Sequence, residues 1–478
     1  MRVPPMAHPM SKRRATPPAI VAKPFRGRRL NHRRTPADNV RVSAAWVVER
    51  TLSMSAPSSE FLAGARARLD EYDHGLLHEL SLGTLRWLRR LDHVIATASN
   101  RPLEKIEPAL RAPLRVAAYQ LLFLDRVPPH AAVSEAVEHA RRVTHRGGAS
   151  FTNAVLRRIA RQPKLDDWPV RQRDPGRRLA IEMSHPDFLV ERWIQRFGLE
   201  RTRDLLDANN RPKPMHLLAF RDRGGRELLA ENLIDDAIAV EPSKISPLGL
   251  VVREGNPLRS QSFACGDLYV QDEASQAAAL IPPLRPGERV LDAAAAPGGK
   301  SFTLLAAEPD VRVVLADASV DRLGVLEQNL GRLGRRLPVV AADAGRPAFA
   351  AGGFDRVILD LPCTGTGTFR KCPELKWRIS EAEIGRLASQ SLRMLAGAAP
   401  LVAEGGYLIA ITCSLEAEEN EEVVARFLER HPQFSLLALE DRLEFPLDRW
   451  IIGRGVWRLS TADEHDGFTV HALVRERE

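Results

Sequence analysis

Apolar residues recur at spacings of three to five through Leu77, Leu80, Leu85, Leu88, Leu91 and Ile95, and again through Val133, Ala136, Val137 and Ala140. Such positions share one face of a helix, so amphipathic helices are predicted. Asn100 with Pro102, Pro128-Pro129 and Gly147-Gly148 interrupt the pattern, which makes 39–165 a bundle of several helices. A polar connector around Pro163 to Pro175 follows, and Ser184-His185-Pro186-Asp187 is a helix start with proline just inside it. Helices near 186–197 and 200–208, a strand at Met215–Phe220, a helix near Glu227–Leu233 and a strand near Leu248–Val252 make 170–280 a small α/β adaptor. Asp272–Leu280, after Leu268-Tyr269-Val270, is predicted to be the helix that enters the last domain.

From 281 to 478 the pattern changes. Short apolar runs at Arg289–Ala293, Val311–Ala316, Val339-Val340, Val357–Leu359 and Tyr407–Ile411 alternate with helical stretches from about Lys300, at Val320–Leu333 and at Glu381–Leu395. This alternation predicts a doubly wound parallel sheet. In such a sheet ligands bind at the carboxyl ends of the strands.

Composition narrows the class. A chain of 478 residues exceeds one ordinary core, so two or three domains are expected. No apolar run approaches the roughly 18 residues of a membrane span and no signal-peptide core is present, so a cytoplasmic protein without membrane contact is expected. The cysteines, Cys265, Cys363, Cys372 and Cys413, show neither C-x-x-C nor paired Cys/His spacing, and no disulfide framework or metal site is expected. A net charge of +8 favours a polyanionic partner, but ten basic residues from Arg2 to Arg34 precede the first acid, Asp38. Residues 1–38, rich in Pro and Arg, are expected to be a disordered basic arm. A transit peptide and an extension without a role also fit it. Arg141, Arg142, Arg146, Arg157, Arg158 and Arg161 fit a basic face or a solvated helix surface equally well.

The candidate chemistry lies at strand ends. Leu291-Asp292-Ala293-Ala294-Ala295-Ala296-Pro297-Gly298-Gly299-Lys300-Ser301 reads as a strand, a turn of small residues and a helix start, where a cofactor can lie against backbone and meet free amides. Ala294 stands where a Walker loop has its first glycine, so a phosphate cradle is not expected. Acids recur at successive strand ends. Asp317 suits ribose hydroxyls, Asp343 an adenine amino group, and Asp360 closes the fourth strand. Two strands also deliver a thiol, Cys363 in Phe354–Arg370 and Cys413 in Thr412-Cys413-Ser414. A lone intracellular cysteine is more often a small buried hydrophobe. Two thiols beside an adenosine-type site suit a reaction needing nucleophilic activation, such as methylation of pyrimidine C5 after a thiolate adds to C6. Position alone does not rank Cys363 against Cys413.

The segments Gln271–Ser275 (QDEAS), LDAAAAPGGKS, LDLPCTGTG and TCS followed by Glu418-Glu419-Asn420-Glu421 resemble, in order and spacing, the Nol/Nop/Sun family of RNA cytosine-5 methyltransferases over about 270–422. The helical region with Thr152–Arg157, together with Ser184-His185-Pro186, Ala208-Asn209-Asn210 and Asp466-Gly467-Phe468, resembles the bacterial Sun branch, whose N-terminal domain is NusB-like. The resemblance implies a Rossmann-type methyltransferase sheet behind a NusB-like RNA-binding domain, S-adenosyl-L-methionine as methyl donor, and one cytosine of 16S rRNA as target. A base must lose pairing or stacking to reach such a pocket, so unassembled or early-assembly rRNA is the expected substrate. A monomer is expected. It implies Cys413 as nucleophile, Cys363 as the thiol that releases product, and Asp360 beside both cofactor and base. Ala294, Ala295, Ala296, Pro297, Gly298, Gly299, Lys300, Asp317, Asp343 and Asp360 would line the cofactor site. Ala294 departs from a common cysteine, Leu361 and Thr364 from common Ala and Ser, and Gly467-Phe468-Thr469 from a more usual aromatic pair. A relative acting on tRNA and a non-catalytic RNA-binding scaffold are the competing readings.

Overall fold

Asn39 opens the first helix, its side chain accepting the Arg41 and Val42 amides at 2.9 and 3.2 Å. The computed structural model describes residues 39–54, 56–438, 450–459, 461 and 464–477; the basic arm expected at 1–38 lies outside them. Among the described residues, seven α-helices between Val40 and Arg161 enclose one apolar core, to which Leu77, Leu80, Leu85, Leu91, Ile95, Val133, Ala136 and Ala140 contribute. The continuous leucine pattern is divided there. His74–Arg86 and Leu88–Ser99 are separate helices that meet at Trp87, whose φ of −102° and ψ of 16° leave the helical region.

The segment after the bundle is mixed, as its pattern predicts. Helices Asp187–Phe197 and Leu199–Asn210 precede β1 (His216–Ala219), β2 (Ala239–Pro242), β3 (Gly249–Glu254) and β4 (Leu268–Val270). These strands form an antiparallel sheet in the order β2-β3-β1-β4. The sequence pattern does not reveal β2, an edge strand that is largely exposed and ends in proline.

The last sheet contains β5 (Arg289–Asp292), β6 (Arg312–Asp317), β7 (Val339–Ala341), β8 (Phe354–Asp360), β9 (Val402–Thr412), β10 (Phe434–Leu436), β11 (Ile451–Gly453), β12 (Val456–Leu459) and β13 (Phe468–Arg475). Its order is β11-β12-β13-β9-β8-β5-β6-β7, with β10 beside β13. Strands β5 to β9 pair in parallel, as expected. The remaining strands pair antiparallel and extend the sheet beyond β9, so the sheet is mixed. Alternate residues serve two cores. Val290, Leu315, Ile358, Ile409 and Ile411 face the helices Gly299–Ala307 and Val320–Arg332. Leu291, Ala316, Val357, Leu359, Leu408 and Ala410 face Glu381–Ala398 and Glu421–Arg430.

Candidate active site

The chain winds from β5 outward through β6 and β7, then returns to β8 on the other side of β5. That reversal opens a crevice between the carboxyl ends of β5 and β8. A cleft of about 350 Å³ lies there, lined by Ala294, Ala295, Ala296, Pro297, Gly299, Lys300, Asp360 and Cys413. Gly298 shapes the turn from beneath. Its φ is +114°, and a Cβ on it would stand 2.3 Å from the Phe302 ring, so only glycine fits.

Each acid is held differently. The Lys300 ammonium donates to Asp360 at 2.5 Å and lies 5.6 Å from the centre of the Phe468 ring. Asp317 is buried, accepting from the Ala296 amide at 3.2 Å and the Ser319 amide at 3.0 Å, so it braces the small-residue turn. Asp343 is exposed and accepts the Gly345 amide at 2.8 Å. Neither Asp317 nor Asp343 is among the residues lining the cleft, although Asp317 ends β6 and Asp343 lies two residues beyond β7 on the same side of the sheet. Asp292, which the sequence places in the motif without a role, does line it. Burial pushes its carboxyl up to about 6, against a hydrogen bond from Ser301 at 2.6 Å.

Parallel pairing aligns Asp360 with Ile411, so the residues just beyond each strand end meet. The sulfurs of Cys363 and Cys413 are 3.4 Å apart. Cys413 lines the cleft and Cys363 does not. The hydrogen bond it shares with Cys413, then desolvation and the nearby Glu419 and Asp360, raise the half-buried Cys363 thiol above its ordinary range. Cys372 also borders the cleft, but burial, with Glu374 nearby, pushes its thiol up to about 12. Cys265 is exposed and is not among the cleft residues.

The Glu418–Glu421 run anchors these loops. Glu419 accepts the Thr364 amide and hydroxyl at 2.8 and 2.7 Å. Asn420 donates to the carbonyls of Ser414 and Glu416 and accepts the Thr412 hydroxyl at 2.6 Å. Gly367 donates its amide to the Cys413 carbonyl at 2.9 Å.

Comparison with known proteins identifies the family. Residues 279–473 match the family described as 16S rRNA methyltransferase RsmB/F, 40–161 the NusB family, and 185–259 the ferredoxin-like domain of RsmF/B-like methyltransferases. Ribosomal RNA small subunit methyltransferase B of Pseudomonas putida is 34% identical over 447 residues, covering 91% of this chain and 98% of that protein. The probable enzyme of the same name from Bacillus subtilis is 34% identical over 384 residues, covering 78% of this chain and 84% of that protein. The chain belongs to the RsmB/F family of 16S rRNA methyltransferases. The crystal structure of PH0851 superposes on this RsmB/F-family chain with a TM-score of 0.75 at 26% identity, over 92% of this chain and 100% of that one. The structure of NSun6 from Pyrococcus horikoshii shares the fold, with a TM-score of 0.51 at 18% identity over 60% of this chain and 97% of that one.

As a family member, the chain is a methyltransferase of the S-adenosyl-L-methionine-dependent class. Among the described residues no group of His, Cys, Asp or Glu is placed to hold a metal ion, and no helix is long and apolar enough to cross a membrane.

One cluster at the edge of the cleft, to which Asp272 and Asp466 contribute lining, escaped sequence reasoning. Lys213 donates to Asp272 at 2.7 Å and to Asp466, and the Asp466 amide donates to Asp272 at 3.1 Å. Burial pulls the Lys213 ammonium down, but the two carboxylates outweigh it and raise it; burial pushes Asp272 up, but Lys213 and His216 hold it well below the usual range. The cluster joins the small sheet to the cleft. Its only sequence signal is that Asp272 and Asp466 fall inside QDEAS and Asp-Gly-Phe; Lys213 carries none.

Proposed function

We propose that this enzyme methylates C5 of one cytosine in 16S rRNA by adding the Cys413 thiolate to C6. The observation that carries the assignment is the contrast between the two thiols. Cys413 lines the cleft, whereas Cys363, its sulfur 3.4 Å away, does not. A thiol that reaches the cleft can meet a bound base, and one that does not is placed to act on it through its neighbour.

The residues present fit the methyl donor. The turn Ala294–Gly299 puts small side chains and the amide end of the Gly299–Ala307 helix at the switch-point cleft, beside Lys300 and Asp360. Asp317 sets the shape of that turn through Ala296, and Asp343 stands at the next strand end out, where an adenine edge would lie. When bound, S-adenosyl-L-methionine supplies an electrophilic methyl group. Attack by Cys413 on C6 moves the π pair of the C5–C6 double bond to C5, and C5 takes the methyl as the methyl–sulfonium bond breaks and leaves its pair on the donor sulfur. A base then takes the C5 proton, the C–H pair re-forms the C5–C6 double bond, and the C6–sulfur bond breaks with its pair returning to Cys413 as thiolate. Cys363 attends that release. Asp360, held by Lys300, polarises the base.

The division of labour we assign is a basic arm over 1–38, a NusB-like RNA-binding bundle over 39–165, an adaptor over 170–280 and a catalytic domain over 281–478. The target base must leave its stack to reach the cleft, so unassembled or early-assembly rRNA is the better substrate, and the enzyme acts as a cytoplasmic monomer. Mapping 5-methylcytosine in total RNA with and without the gene tests the function. Loss of one methylated 16S cytosine is expected; an unchanged map, or loss only in tRNA, would overturn it.

A further inference from the structure

A second cleft of about 450 Å³ lies on the far side of one wall of the active-site cleft. Three chain segments form that wall, and in each, neighbouring residues face opposite clefts. Asp272, Lys371 and Asp466 line the active site, while Glu273, Arg370 and His465 line the second cleft. At these three places a single thickness of chain divides the two spaces, so one strand of RNA crossing its rim can enter both.

The lining suits a nucleotide. Buried Ile245 and Val251, with Pro212 and Pro242, supply apolar surface against which a base can pack. Arg211 and Lys244 add exposed cations. Arg211 pairs with Asp207 across an exposed contact, and Lys244 feels Glu464 only through space, without a salt bridge among the described residues. Exposed pairs contribute little, so a phosphate can displace Asp207. Arg253 is different: it is tied to both Glu241 and Glu464, which takes those two carboxylates out of competition with an anion.

We propose that this second cleft seats the RNA nucleotide next to the target cytosine, its base against the apolar surface and its phosphate toward Arg211 and Lys244. The inference rests on the reading of the first cleft as the cytosine site. It gives the adaptor a direct part in substrate recognition, since Arg211, Lys244 and Ile245 all come from 170–280. It also places the strand across the Lys213, Asp272 and Asp466 cluster, which stiffens the wall between the two sites.

The test uses the full-length enzyme and in vitro transcribed 16S rRNA. In the Arg211→Glu/Lys244→Glu double variant, KM for RNA should rise about tenfold and the log–log salt slope of RNA binding should flatten by about two. The dissociation constant for S-adenosyl-L-methionine should not change. With wild-type enzyme, 4-thiouridine placed beside the mapped target cytosine should photocrosslink to peptides within 208–214, 241–253 or 464–465. Wild-type KM and slope in the double variant, or crosslinks only to other peptides, would remove this subsite while leaving the methylation reaction intact. Failure of the wild-type enzyme to methylate any 16S cytosine would instead overturn the reading of the first cleft.

Discussion

Glu419 grips Thr364 with both carboxylate oxygens, one on the amide at 2.8 Å and one on the hydroxyl at 2.7 Å. Thr364 follows Cys363, and Glu419 lies six residues beyond Cys413, so one buried side chain ties together the loops that carry the two thiols. Removing it leaves two buried donors unpaired, at a cost of about 1–3 kcal/mol. We expect Glu419→Ala to lower stability by that amount in denaturant titrations and to lower kcat more than it raises the KM for the methyl donor. Unchanged kcat would mean that the loops hold their thiols without this tie.

Gly367 meets Gly467 backbone to backbone. A Cβ on Gly367 would lie 2.3 Å from the Gly467 carbonyl oxygen, and the Gly467 amide donates to the Gly367 carbonyl at 2.7 Å. Gly367→Ala should therefore displace the thiol loop, costing roughly 1–3 kcal/mol as overpacking does and reducing methylation sharply. Gly64, inside the helix Ser58–Arg66, is the control, because a Cβ added to it would meet nothing within 4 Å. Gly64→Ala should gain about 0.5–1 kcal/mol and leave methylation as it is.

Asp292 predicts a pH dependence of stability. Its folded carboxyl is raised to about 6 by burial, above its ordinary 3.8, so the contribution is fully present below about pH 4 and is lost as pH rises through about 6. The loss is on the order of 2–3 kcal/mol. Asp292→Asn keeps an acceptor for Ser301 and removes the titration. Its stability relative to wild type should rise between pH 4 and 6 and level off above 7, as read by chemical denaturation. A difference that stays flat with pH would mean that Asp292 ionises in the fold as it does in water.

The segment after the thiol loop is fastened to the helical bundle. Glu374 accepts the Ser58 amide and hydroxyl at 3.0 and 2.8 Å, and the Trp377 indole donates to the Leu85 carbonyl at 2.8 Å. Glu374→Ala should destabilise by about 1–3 kcal/mol. Combined with Ser58→Ala it should cost less than the two single changes added, because they remove the same contact. Strict additivity in a double-mutant cycle would show the contact to be energetically empty.

Much of the catalytic sheet is legible in sequence because its parallel strands are apolar on both faces. Val357-Ile358-Leu359 and Tyr407–Ile411 stand out for that reason, and the residues following them locate Cys363 and Cys413 without further information. The antiparallel extension is harder to read. Strand β13 joins β9 through pairs such as Val470 with Ile411, nearly sixty residues apart, and no local period encodes such pairing. The same holds for contacts made by single side chains across domains. Buried Lys376 donates to Asn210 at 2.7 Å, and Lys213 bridges Asp272 and Asp466, yet each lysine looks like a surface residue in sequence. Position alone leaves the order of the two thiols open; in the fold Cys413 lines the cleft and Cys363 does not.

The most direct test of the mechanism is to look for the protein–RNA bond itself. Wild-type, Cys363→Ala and Cys413→Ala enzymes are incubated with 16S rRNA and S-adenosyl-L-methionine and run on a denaturing gel, and any slow-migrating band is digested for peptide mass analysis. Cys363→Ala should accumulate an adduct whose nucleotide mass sits on the Cys413 peptide, while Cys413→Ala should form none and lose activity by roughly 10³-fold or more, the scale of removing an attacking nucleophile. Methylation by Cys413→Ala, or an adduct mapped to Cys363, would contradict the account.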